Sequence, residues 1–147
     1  MSSRTRVLTF GLLAMSLPVV GQDYQPGNVA ISDPWSRPTP PGTPVGVGYM
    51  AISNQGQEPV TLVTGQTPAA AQVSLHKSTM QDGLMKMRRL KDGLTVSAGE
   101  TVTLEPHSYH LMLEQLERPL KAGDEIPLSL TFEGMDPVDV KLRVRSQ

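Results

Sequence analysis

The chain has 147 residues, a net charge of −1 at pH 7, few aromatic residues (4%) and no cysteine. Without Cys there is no disulfide framework, no thiolate metal ligand and no Cys nucleophile. Its one basic cluster, Lys86, Arg88, Arg89 and Lys91, is too small for a nucleic-acid footprint on an otherwise acidic chain, so no nucleic-acid partner is expected.

Arg4 and Arg6 precede an apolar run over residues 7–20, broken late by Pro18, with Val19 and Gly21 suited to the −3 and −1 positions of a cleavage site. This is the layout of an export signal, and it predicts a leader over 1–21 and a single domain over 22–147. The run of about 14 residues falls short of the roughly 20 that a spanning helix needs, and no second long run follows. A soluble exported protein without stable membrane insertion after cleavage is expected. The absence of Cys after the run argues against a lipidated N-terminus. Removing Arg4 and Arg6 with the leader takes the net charge to about −3. A chain of this size buries a core without needing a disulfide or a structural metal.

After the leader, short apolar alternations separated by Gly, Pro, Asn and Asp predict strands over 29–33, 45–53, 60–64, 72–77, 84–90, 101–105, 109–116, 126–132 and 138–144. Their spacing suits an all-β sandwich or barrel. Glycines at 56, 83, 93, 99 and 123 fall where turns can require positive φ. Pro38, Pro40, Pro41 and Pro44 predict an edge or a wandering loop, because Pro cannot donate to a ladder. Trp35, the single Trp, is expected as a core anchor.

The chemistry concentrates between residues 75 and 113, which hold His76, His107 and His110 together with Met80, Met85, Met87 and Met112. Side chains alternate between the faces of a strand. Val73 and Leu75 therefore share one face and His76 takes the other; Leu111 and Leu113 oppose His110 and Met112. Met85 and Met87 point the same way. If the aliphatic face is the core face, His and Met gather where the core makes no claim. Thioethers are soft donors that favour Cu(I) over zinc, calcium or magnesium. Glu114 shares the face of His110 and Met112 and is the one carboxylate able to approach. Met85 could line the site or exchange with it. Met80, in the turn after His76, could approach the metal but reads as exposed or packed on that loop. His107 reads as an exposed turn residue, with an auxiliary ligand as the alternative.

The segments LHKSTMQDGLMKMRRL and YHLMLEQLERPLKAGDEIPLSLTF resemble the signature of the PCuAC family of periplasmic copper chaperones. The likeness extends through Trp35-Ser36-Arg37, Tyr49-Met50-Ala51-Ile52 and Asn54, and covers roughly residues 28–145. It implies a cupredoxin-like Greek-key β-sandwich or barrel in the periplasm. It implies one Cu(I) near the surface on His76, Met87, His110 and Met112, for delivery to a copper-accepting protein: a cytochrome c oxidase subunit or its assembly factors. A monomer is expected. Blue-copper electron transfer is excluded by the missing Cys thiolate. A copper-buffering or resistance protein with the same ligands stays open, as does a metal-free interaction module. No enzyme is expected, since no nucleophile–base order, paired carboxylates or phosphate loop stands out.

Overall fold

A computed structural model describes residues 23, 24 and 27–146; the expected leader over 1–21 lies outside them. The described residues form strands β1 (Asp23–Tyr24), β2 (Val29–Ser36), β3 (Val45–Asn54), β4 (Val60–Gln66), β5 (Ala70–Gln81), β6 (Leu84–Arg89), β7 (Leu94–Val96), β8 (Thr101–Leu104), β9 (Tyr109–Leu116), β10 (Glu125–Phe132) and β11 (Val138–Val144). Each of the nine expected strands is present. β5 continues to Gln81, well past residue 77, and β1 and β7 are additions too short to show in the apolar pattern.

The strands run in the order β5-β9-β8-β3-β2-β11-β10-β4, and β4 returns to β5 at the Gly65–Val73 pair, closing a barrel. β6 and β7 hang from β5 and β4, and β1 from β2. Partners far apart in sequence, such as β2 with β11 and β4 with β10, make this the expected all-β, cupredoxin-like barrel. Ile31, Ile52, Leu62, Leu111, Leu113 and Leu142 are fully buried inside it. Each contributes on the order of 1.5–3 kcal/mol by leaving water. A Cβ at Gly46 would come within 3.0 Å of Leu120, so the missing side chain on β3 is what lets that leucine close over the strand.

Two expectations change. Gly56 does not take positive φ, unlike Gly83, Gly93, Gly99 and Gly123. Its N–H instead donates to Asn54 Oδ1 at 3.0 Å, so the asparagine side chain supplies the turn. Trp35 is buried, at 7% exposure, but lies outside the core cluster. The register of β2 with β3 slips between Ser32 and Trp35, where Asp33 sits at φ 48. One extra residue moves every later side chain to the other face. Trp35 therefore packs on the outer face, 4.7 Å from the ring of Tyr49 and beneath the guanidinium of Arg145.

The Pro-rich loop forms no ladder of its own among the described residues, as expected, but it is pinned, and at its end Pro44 C=O accepts from Leu116 N–H of β9 at 2.8 Å. Thr39 N–H donates to the carbonyl of Leu120 at 3.0 Å, and Leu120 N–H donates back to Thr39 Oγ1 at 2.8 Å.

Candidate metal centre

β5, β6 and β9 carry the candidate residues. Val73 and Leu75 on β5, with Leu111 and Leu113 on β9, point into the core. Alternation then turns Ser74 and His76, and His110, Met112 and Glu114, to the outer face. Antiparallel pairing sets His76 opposite His110 and Ser74 opposite Met112. β6 adds Met87 opposite Ser78 and Arg89 opposite His76. All four ligands expected from the resemblance thus share one face of three adjacent strands. Their burial is graded: His110 is 5% exposed, His76 and Met112 are partly buried, and Met87 is 55% exposed.

The two imidazoles are stacked, with centroids 5.8 Å apart and planes 17° from parallel. Each has one nitrogen committed. His110 Nδ1 donates to the carbonyl of Ser108 at 3.0 Å, which leaves Nε2 with a free lone pair. Ser74 donates its hydroxyl to Glu114 Oε2 at 3.0 Å and lies 2.9 Å from His76 Nε2. With the hydroxyl proton spent on Glu114, His76 Nε2–H must donate to Ser74 Oγ, leaving Nδ1 free. Orientation of one ring nitrogen by a carbonyl or carboxylate chain is the usual support of a metal-binding histidine.

Burial, and then neighbouring His110, hold the His76 imidazole below its ordinary protonation range; Glu114 opposes this and Arg89 adds to it. His76 is therefore neutral at neutral pH, the form that binds a metal. Among the described residues no three His, Asp or Glu side chains gather as a hard-donor metal site. The face offers thioethers beside the two imidazoles, and neutral imidazole with thioether is a donor set that suits Cu(I).

Glu114 meets its expectation through Ser74. Met80 and Met85 face each other across the β5–β6 ladder, on the face that carries Met87. His107 is exposed in its turn at φ 66, a left-handed conformation that favours Gly. Sequence reasoning missed two participants. Arg89 was grouped with the basic cluster, although its parity with Met87 already put it on the metal face. Ser74 carries no signal of its own in the sequence, and nothing short of the cross-strand register could reveal its bridge. A larger cleft of about 910 Å³ lies between β4, β5, β10 and β11, lined by residues such as Gln66, Gln72, Pro127 and Asp139 with no His or Met. It has no donors for a soft metal.

The family model described as putative lipoprotein LpqE-like matches residues 29–144, which span this whole arrangement. The chain belongs to this family, the PCuAC family. Among similar proteins, the putative lipoprotein Lxx21020 of Leifsonia xyli subsp. xyli is 30% identical over 134 residues, covering 88% of this chain and 80% of its own. The copper-bound PCuAC domain from PmoF2 superposes with a TM-score of 0.74 at 21% identity, covering 86% of this chain and 99% of that domain. The solution structure of CuI-DR1885 from Deinococcus radiodurans gives 0.60 at 29% identity, covering 90% and 81% respectively.

Proposed function

We propose that this protein is a periplasmic copper chaperone that binds one Cu(I) through His76, Met87, His110 and Met112 and delivers it to a cytochrome c oxidase copper site. The observation that carries the reading is the stacked His76–His110 pair, with one nitrogen of each ring tied back and the other free, on the face that also bears Met112 and Met87. Copper in the PmoF2 domain and in DR1885 supports the choice of ion. In this reading residues 1–21 are a cleaved leader and 22–147 the copper-binding domain, acting as a monomer. The Leifsonia relative is named a putative lipoprotein, but this sequence has no Cys to carry a lipid thioether.

Four neutral donors add no charge to the cargo, and the exposed Met87 is the ligand an acceptor displaces first. Transfer is ligand exchange: acceptor donors enter as Met87 leaves, with no change in oxidation state. Nothing here calls for a bond-making step, so the protein acts as a carrier and not as an enzyme.

Cu(I) competition titration of the 22–147 domain against a chromophoric chelator tests the site. His110→Ala and Met112→Ala should each weaken binding, His110→Ala on the order of 100-fold or more, since even partners behind a ligand cost 10–100-fold. Affinity indifferent to both changes would remove the reading. Mixing copper-loaded protein with an apo oxidase copper domain separates delivery from the alternative, a copper-buffering or resistance protein, which would keep its ion.

A further inference from the structure

Five large apolar side chains are exposed among the described residues, and four of them, Met80, Leu84, Met85 and Met87, lie on the β5–β6 hairpin. Every residue of β6 is exposed. The hairpin projects beyond the barrel, so its methionines fill no core gap, which is the ordinary reason for Met in a protein. Their arrangement is specific. Met80 stands directly opposite Met85 on the ladder, and Met87 is two residues along β6, opposite Ser78. All three share the metal face. Directly opposed Cβ atoms lie about 5 Å apart and diagonal ones about 7–8 Å, within reach of the three-bond thioether arm.

The hairpin's cations do not occupy this ground. Lys86 pairs with Thr79 and Arg88 with Lys77, on the opposite face; only Arg89 shares the methionine face, opposite His76 and farther from the tip. We propose that Met80 and Met85 form a second, weaker Cu(I) site at the hairpin tip, which shares Met87 only while the inner site is empty and through which the ion reaches and leaves His76 and His110. The inference rests on the chaperone reading and extends it. Met87 is the hinge between the two sites: it neighbours the Met80–Met85 pair on one side and the diagonal His76 on the other. An ion moving inward exchanges thioethers for imidazoles one at a time, and no electron or proton need move. Exposure falls along this route, from 66% at Met80 and 55% at Met87 to 5% at His110.

The test is Cu(I) titration of the 22–147 domain, under reducing conditions, with ¹³C-methyl-methionine and histidine ring signals followed by NMR. The wild type should saturate the His76 and His110 signals with the first equivalent and shift the Met80 and Met85 methyls with a second, weaker one. The double variant Met80→Leu, Met85→Leu alters only exposed positions and keeps side-chain size. It should retain the first equivalent, lose the second, and release copper several-fold more slowly to a bulky chelator. Met80 and Met85 methyls that stay still while a second equivalent is added would overturn the proposal, as would a double variant that still takes up both equivalents. If the tip methyls shift but the histidine signals never do, the tip site stands and the chaperone site on His76 and His110 falls.

Discussion

The outer face of the barrel carries two ring pairs with opposite fates. Trp35 and Tyr49, 4.7 Å apart and tilted by 41°, are roofed by cations: the Arg145 guanidinium lies 4.4 Å over the indole and that of Arg37 5.5 Å over the phenol. Arg145 is itself held by two hydrogen bonds to Asp33 at 3.0 and 3.1 Å. His76 and His110, 5.8 Å apart, are held from the side instead, by a hydroxyl and a carbonyl. A ring pair with its faces covered can only anchor. One steered by its edges, with a nitrogen left over on each ring, can take a ligand.

Substitutions that exchange these fates test the contrast. The largest effect is expected from Trp35→Ala, which should cost about 3 kcal/mol of stability in urea unfolding, the lower end for removing a buried large aromatic. Cu(I) affinity should be nearly unchanged, because Trp35 only anchors; a parallel loss of affinity would join the two pairs into one unit. Ser74→Ala should do the reverse. It unties His76 from Glu114 and should weaken Cu(I) binding about 10-fold in chelator competition, with little effect on folding. Glu114→Gln keeps an oxygen that accepts from the Ser74 hydroxyl, so it should retain most of the affinity.

Smaller again is Arg145→Ala. It removes a cation–π contact and an exposed pair with Asp33, together worth about 1 kcal/mol in urea unfolding. The smallest effect concerns pH. His76 in the folded apoprotein sits below its ordinary value of 6.5, so the unfolded chain binds the proton first on acidification. The stabilising contribution is complete above about pH 6.5 and declines as pH falls towards the folded value. Urea unfolding of apoprotein between pH 8 and 5 should show this decline, and His76→Gln should flatten it.

Much of this was legible in the chain. Strand parity alone separated Leu111 and Leu113 from His110 and Met112, because a two-residue period leaves no other choice once the leucines are buried. Glu114 followed from the same rule. Trp35 was expected in the core only because it is the single Trp; it is buried, but on the outer face, since parity holds only while the register holds. The extra residue at Asp33 breaks it, and Asp is among the few residues that tolerate φ near 48° without marking the place as glycine would. The link from His76 through Ser74 to Glu114 joins β5 to β9 across 40 residues of sequence. Only the pairing of those two strands brings it together, and no local pattern encodes that. The length of β5 beyond residue 77 was hidden too, since both faces of Ser78–Gln81 are polar or solvated and give no alternation to read.

The free side of β6 has a consequence for how copies of this protein meet. Among the described residues β6 ends the strand order, so one side of its backbone is left without a ladder partner. Such a rim invites a like strand from another copy. Here the rim carries Lys86, Arg88 and Arg89, with Lys91 just after it. Two copies aligned rim to rim would press these cations together at the spacing of adjacent strands, where opposed like charges repel. The hairpin can thus hold its methionines out in water while its charge keeps each copy from capping its neighbour, a protection that fades as salt screens the cations.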